Sequence, residues 1–354
     1  MSRFFSSKYS SLVPYTPGEQ PQDKKYIKLN TNESPFPPSV LAQRLARQAA
    51  GDLRLYPDPD CNALKKIAAD RFNIAEDEII FTNGSDDILN FAFMAFCDDK
   101  TPAAFANITY GFYKVFANLN GVEYTEIPLD ADFKLNPKDY YGLNKTIFIA
   151  NPNAPTGIAL SKNEIEGIVA ANPENIVVVD EAYVDFGAES SLDLIHKYDN
   201  LLVCQTFSKS RSLAGGRIGF GVASKELIND LNTVRYSTNP YNINRMTMSA
   251  AIGALTDEKY FKDCCKKIAD TREYSLKKFE NLGFTFTDSK TNFVFVKHPK
   301  ISGKELYLTL KENGVLIRHF DTDLLRDYNR ITIGSREEMD EFFVILEKVL
   351  KEKI

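Results

Sequence analysis

Between Glu78 and Val222 the sequence alternates short apolar runs with stretches of helical periodicity, and no other feature limits the fold as strictly. The runs at 79–81, 103–106, 122–127, 146–150, 176–179, 201–207 and 218–222 are too short to be buried helices, and most carry no charge. They read as strands, most of them covered on both faces. Helical periodicity fills the gaps at about 85–96, 111–119, 161–171 and 224–234. Strands and helices taking turns in this way build βαβ units around a mostly parallel sheet, so the fold class is α/β.

The flanks follow a different pattern. Residues 1–37 carry Ser, Pro, Gly and Asn with little periodicity and read as an extended arm. Pro37-Pro38-Ser39 then starts a helix that Gly51 ends, and Tyr56-Pro57-Asp58-Pro59 forms a rigid turn before a helix at 61–72. After the polar, proline-punctuated stretch Arg235 to Tyr241 come helices at 244–255 and 257–282. Strands at 293–296, 315–317 and 330–334 and a closing helix from Arg336 complete a smaller α+β unit. At 354 residues two domains are expected. The reading assigns 45–236 to a large domain with the central sheet, 237–354 to a small C-terminal domain, and 1–44 to an arm that supplies part of the small one.

Charge and composition remove several classes of function. A net charge of −5 with both signs interspersed leaves no basic stripe for nucleic acid or anionic lipid. No apolar stretch is long enough to span a bilayer, and the N-terminus lacks the apolar core of a signal peptide, so a cytoplasmic location is expected. The five cysteines form no C-x-x-C pair and the three histidines are scattered, so no metal site is expected.

Ligands of open α/β sheets sit outside the carboxyl ends of the strands, and those ends are chemically rich here. The first is Gly84-Ser85-Asp86, where a helix start offers free N–H groups to an anion. Next come Tyr110, the Asn151-Pro152-Asn153-Ala154-Pro155-Thr156-Gly157 loop, and Asp180-Glu181-Ala182-Tyr183. The last is Thr206-Phe207-Ser208-Lys209, with Arg217 eight residues on. A single Asp or Tyr at a strand end is usually a turn or packing residue. Two anion cradles, a carboxylate, an amide, an aromatic and a lysine along one edge suit a flat, phosphorylated, cationic heteroaromatic aldehyde, with Lys209 as the amine that meets it.

These motifs, in this order, resemble the fold-type I aminotransferases that use pyridoxal 5′-phosphate, and within them the histidinol-phosphate aminotransferase family. Leu29-Asn30-Thr31-Asn32-Glu33, Tyr56-Pro57-Asp58, Leu213-Ala214-Gly215-Gly216-Arg217 and Arg330-Ile331-Thr332-Ile333-Gly334 carry the likeness to both ends of the chain. Ala154 stands where the family often has asparagine, and Gly216 where it usually has leucine. The resemblance implies that Lys209 bears the cofactor and moves the proton, and that Asp180 pairs with the ring nitrogen. Tyr183 and Asn153 would meet the phenolic oxygen, and Tyr110 would stack on the ring. Gly84, Ser85, Asp86, Thr206, Ser208 and Arg217 would hold the phosphate, with Tyr56 reaching it from a partner subunit. Tyr15, Asn32, Arg318 and Arg330 would bind substrate. The implied protein is a homodimer with shared sites that acts on a small amino donor and a 2-oxo acid. The expected reaction is histidinol phosphate with 2-oxoglutarate. Its alternatives are a threonine-phosphate-type decarboxylase, an aminotransferase for another phosphorylated or aromatic amine, or a module that binds the cofactor without turnover.

Overall fold

The computed structural model describes residues 2–354. The chain opens with a two-residue strand, β1 (Ile27–Lys28), then helices α1 (Val40–Ala49) and α2 (Asn62–Phe72). Ser39 caps α1 by accepting a hydrogen bond from the Ala42 N–H, as its place after the two prolines predicts. The sheet region runs β2 (Ile79–Thr82), α3 (Ser85–Phe96), β3 (Ala103–Ala106), α4 (Phe112–Asn120), β4 (Tyr124–Ile127), β5 (Thr146–Ala150), α5 (Lys162–Ala170), β6 (Val177–Asp180), β7 (Leu201–Thr206) and β8 (Gly219–Val222).

These strands form one sheet in the order β2-β8-β7-β6-β5-β3-β4. Every pairing is parallel except the two made by β8. A parallel return needs a crossover, usually a helix. The only helix between Phe207 and Ile218 is the single short turn at Ala214–Gly216, so β8 folds back beside β7 and runs antiparallel.

The strands are buried on both sides. Ile147, Ile149, Val177, Val179, Leu201 and Val203 pack into one core. Phe148, Val178 and Leu202, at the alternate positions, pack into the other with Ile88, Phe93 and Tyr113. That double coverage explains the uninterrupted apolar runs of the sequence.

The C-terminal part runs α6 (Lys225–Thr238), α7 (Arg245–Thr256), α8 (Glu258–Asn281), β9 (Thr285–Phe286), β10 (Phe293–Lys297), α9 (Gly303–Glu312), β11 (Val315–Leu316), β12 (Arg318–His319), β13 (Asn329–Thr332) and α10 (Arg336–Lys353). Its antiparallel sheet has the order β12-β13-β10-β9. Phe279, Phe342, Phe343 and Leu346 cover it from α8 and α10. β1 pairs in parallel with β11, Ile27 opposite Val315, and Leu29 enters the same core, so the arm is stitched to the far end of the chain.

One expected break is not a break. The stretch 235–241 is helical as far as Thr238. The helix accommodates its polar residues: Ser237 and Thr238 donate their hydroxyls to carbonyls four residues back, and buried Arg235 ties it down at the carbonyls of Pro59 and Pro240. Helix α6 ends only before Pro240, which cannot continue it. No helix among the described residues is long and apolar enough to cross a membrane.

Candidate active site

The topology brings the chemically rich strand ends to one edge of the sheet. Beyond the ends of β2, β3, β5, β6 and β7 lies a cavity of about 130 Å³. Ser85, Asp86, Tyr110, Asp180, Tyr183, Thr206, Ser208, Lys209 and Arg217 all line it. It shares Tyr110, Ala154, Tyr183 and Lys209 with a larger cavity of about 760 Å³, which also takes in Tyr15, Asn32, Arg318 and Arg330. Lys209 therefore stands at the junction of a cofactor-sized space and a substrate-sized one.

One end of the smaller cavity is built for an anion. Helix α3 starts at Gly84 with no side-chain cap, which leaves N–H groups of its first turn to a ligand. Gly84 has φ +85°, which favours glycine, and a Cβ there would fall 2.6 Å from Arg217 Nη2, so a side chain at 84 would push the guanidinium from its present place. Gly219 is under the same constraint, since a Cβ on it would lie 2.4 Å from the Ser85 nitrogen. Arg217 Nη2 donates to Asp86 Oδ2 at 3.0 Å, and the other Asp86 oxygen accepts from the Tyr110 hydroxyl at 2.8 Å. Thr206 and Ser208 hydroxyls lie 3.1 Å apart on the adjoining turn.

On the strand next to β7, the last residue of β6 places a carboxylate in the same cavity. Asp180 is 5% exposed. Burial pushes its carboxyl up to about 6, while the Tyr113 hydroxyl, 3.0 Å from Oδ2, and the Ala182 N–H, 3.2 Å from Oδ1, act the other way. Tyr113 did not emerge from the sequence as a site residue. Its spacing gives no signal, because what sets it apart is the carboxylate that its hydroxyl meets on β6. The neighbouring Glu181 serves a different purpose on the opposite face. It accepts from Ser190, the Ser191 N–H and Gln205, and burial pushes it up to about 7.

Between the two ends, Lys209 Nζ donates to the Thr31 carbonyl at 3.2 Å and lies 5.8 Å from the Tyr183 ring centre. The Tyr183 oxygen accepts from Asn32 Nδ2 at 2.9 Å. Asn32 is itself held with φ +56°, by Thr332 through both its backbone N–H and its side-chain oxygen, and by Asn292 through its carbonyl.

Arg318 and Arg330 sit directly opposite each other across β12 and β13 and both face the larger cavity. Neither has a carboxylate partner among the described residues. Arg318 donates to the carbonyls of Thr16 and Pro17 in the arm, and Arg330 to the carbonyl of Asn30. Arg330 is also flanked by the rings of Phe293 and Phe320, and burial lowers its pKa from the ordinary arginine value. A buried guanidinium with only carbonyl partners is a costly arrangement that an anionic ligand would relieve. Tyr15 stacks on Phe112, ring centres 4.2 Å apart, at the mouth of the same cavity.

Three expected residues line neither cavity: Gly84, which immediately precedes Ser85, Asn153, and Tyr56, whose expected place is a partner's site. The Asn153 amide nitrogen is spent on the Ile108 carbonyl and the Thr156 hydroxyl and the amide oxygen accepts from Thr109, so Pro152 and Ala154 face the space instead. Tyr56 is 78% exposed and stacks on Tyr241, away from both cavities. A further feature, Gly216, leaves a side chain there only ordinary contacts of 3.6 Å and beyond.

The residues present fit the cofactor that the resemblance implies. The cradle kept open by Gly84 and walled by Arg217 suits its phosphate, the buried Asp180 carboxylate suits a protonated ring nitrogen, and the Lys209 amine lies between.

The chain is similar to known proteins over nearly its whole length. The family model "Aminotransferase class I and II" matches residues 24–346. The chain is 50% identical over 353 residues to a histidinol-phosphate aminotransferase of Brachyspira hyodysenteriae, covering 99% of this chain and 100% of that one. The crystal structure of histidinol-phosphate aminotransferase from Sinorhizobium meliloti in complex with pyridoxal-5′-phosphate superposes with a TM-score of 0.90 at 24% identity, covering 99% of each chain. L-threonine-O-3-phosphate decarboxylase from Porphyromonas gingivalis superposes at 0.78 with 23% identity, over 92% of this chain and 99% of that one. The two structural likenesses establish the fold and do not separate the chemistries built on it.

Proposed function

The chain belongs to the class I and II aminotransferases, a family that works through pyridoxal 5′-phosphate, and on that premise we propose that it transfers the amino group of histidinol phosphate to 2-oxoglutarate, giving imidazole-acetol phosphate and glutamate. The observation that carries the reading is Arg318 paired with Arg330 in one cavity with Lys209. Histidinol phosphate presents a phosphate and no carboxylate, whereas glutamate presents two carboxylates. Guanidinium forks accept either anion, so one pocket serves both half-reactions. The 50% identity over 99% of the chain to a relative named for histidinol phosphate supports the choice of donor.

When bound, pyridoxal phosphate supplies an electron sink for the charge left at the donor's amine-bearing carbon once its proton is gone. Asp180, ionised, holds the proton on the ring nitrogen that makes the sink effective. Lys209 anchors the cofactor through its amine and then takes up and returns the proton at the amine-bearing carbon. Tyr183 receives its hydrogen bond from Asn32, which leaves its own O–H to donate into the cavity. Arg217, Ser208, Thr206 and the start of α3 hold the phosphate. Tyr110 flanks the ring, and Tyr15 closes the mouth against water. Exposed Tyr56, stacked on Tyr241 beside exposed Leu53 and Leu55, forms part of a two-fold interface and reaches the neighbouring subunit's phosphate site. The chain divides accordingly into a sheet-bearing large domain, a small C-terminal domain and an arm that joins the latter.

A decarboxylase acting on threonine phosphate is the second reading, because such an enzyme shares the fold. Incubating the loaded enzyme with each donor and 2-oxoglutarate, with glutamate and carbon dioxide measured together, separates the two. Glutamate formed without gas supports the proposal; gas from threonine phosphate without glutamate refutes it.

A further inference from the structure

We infer that Tyr113 is the positioning residue that keeps Asp180 ionised and aimed at the cofactor's ring nitrogen, and so sets how tightly the cofactor is held as pH falls. The inference rests on the cofactor reading above and concerns a side chain that touches neither cavity.

Tyr113 is fully buried in the core on one face of the central sheet. Its ring packs against Phe105, Phe148 and Tyr110, with centres 5.7 to 5.8 Å away. Phenylalanine would satisfy that packing equally well. The hydroxyl is the part that needs a reason, since a buried O–H without a partner is costly. Its partner is Asp180 Oδ2 at 3.0 Å. Val178 and Asp180 lie two residues apart on β6 and so project to the same face, the face on which Tyr113 is packed. Because the surrounding rings fix the phenol, its O–H is a donor that does not have to be oriented when the cofactor arrives.

Of the other groups facing Asp180, only the Ala182 N–H donates to it directly. Lys209 favours the ionised carboxylate and Asp86 opposes it. Cys204, opposite Asp180 on β7, stays a neutral thiol because burial raises it well above its ordinary value. The Tyr110 hydroxyl is turned to Asp86. The direct donors are the Ala182 N–H, on Oδ1, and Tyr113, on Oδ2. An O–H bond to a carboxylate is strong only while the carboxylate is charged, so Tyr113 counters the effect of burial. Loss of that bond would let Asp180 take a proton at higher pH and leave the ring nitrogen without a counter-charge.

The test is Tyr113→Phe, with dissociation constants measured from pH 5 to 9 for pyridoxal phosphate and for its 1-deaza analogue, in which C–H replaces the ring nitrogen. The far-UV spectrum and thermal midpoint of the cofactor-free variant are taken first, and the same substitution is repeated in an Asp180→Asn background. The expected result is about tenfold weaker binding of pyridoxal phosphate at neutral pH, the order of one hydrogen bond to a charged group. The pH below which affinity falls should move upward. The analogue should bind wild type and variant alike, and the substitution should add nothing to Asp180→Asn. Equal losses for cofactor and analogue would reduce Tyr113 to a packing residue, and an unchanged constant and pH profile would remove it from the site altogether. Wild-type protein that binds no pyridoxal phosphate would overturn the cofactor reading itself, a separate outcome from either.

Discussion

Arg217 reaches the anion cradle by crossing the place where a side chain at residue 84 would begin, with Nη2 2.6 Å from the Cβ that Gly84 lacks. The two residues are separated by more than a hundred positions in sequence, yet a side chain at 84 would compete with the guanidinium for the same space. Gly84→Ala meets both the guanidinium and a backbone at φ +85°. With ψ at 166° this is a region essentially reserved for glycine, and it costs an ordinary residue on the order of 1–3 kcal/mol. Urea unfolding should show a loss of that order, and cofactor titration should show at least a tenfold weaker complex. Wild-type affinity in this variant would mean that Arg217 does not hold the phosphate.

Lys209 should carry the cofactor, since it is the lysine at the junction of the two cavities. Borohydride reduction of the loaded protein followed by peptide mapping is expected to place the pyridoxyl group there. Label on Lys114, which lines the larger cavity, or on any other lysine would contradict the assignment.

Asp180 predicts a conflict between stability and function. Its carboxyl lies at about 6 in the folded chain against an ordinary 3.8, chiefly through burial. Between those values the folded state binds more protons than the unfolded one, so stability falls as pH rises through the window and the cost is complete above it. The difference corresponds to about 3 kcal/mol at most. Cofactor-free Asp180→Asn should therefore be more stable than wild type at pH 8, by up to ~3 kcal/mol, with the difference vanishing below the ordinary value of 3.8, while binding pyridoxal phosphate poorly. A variant less stable at pH 8, or one with undiminished cofactor affinity, would go against this account.

The sheet and the edge that bears the site were legible because strands buried on both faces leave continuous apolar runs, and the residues that end those runs must gather at one edge. The pairings within the site were not legible. Tyr113 reads like any core aromatic, since what distinguishes it is the hydroxyl's neighbour on β6 and not its spacing. Asp86 read as a helix-start residue beside a phosphate, yet its carboxylate bridges Arg217 and Tyr110. Asn153 read as a cofactor contact by resemblance, but its amide is consumed locally by Ile108 and Thr156. Such contacts depend on side-chain direction after strands from distant segments have packed, which periodicity does not encode. The antiparallel β8 was readable in principle, because its connection from β7 holds no crossover helix.

Sharing of sites between subunits has its own test. Tyr56→Ala and Lys209→Ala chains, each inactive alone, should regain activity on mixing, because one site in each mixed dimer would be intact. Mixed dimers that form and recover nothing would place Tyr56 outside the partner's site.

The pair of arginines bears on substrate selection. Arg318→Ala should leave cofactor binding unchanged and weaken discrimination for a phosphorylated donor by ~1.5–3 kcal/mol, the range for hydrogen bonds to a charged group. Comparing kcat/KM for histidinol phosphate and histidinol in wild type and variant measures it. Unchanged discrimination would move the phosphate to another part of the cavity.

The claim that the enzyme is a histidinol-phosphate aminotransferase is tested most directly by kcat/KM for histidinol phosphate, phenylalanine, tyrosine and threonine phosphate, each with 2-oxoglutarate as acceptor. The account predicts the highest value for histidinol phosphate, with glutamate and imidazole-acetol phosphate formed in equal amounts. A higher value for an aromatic amino acid without phosphate, or carbon dioxide released from threonine phosphate, would contradict it.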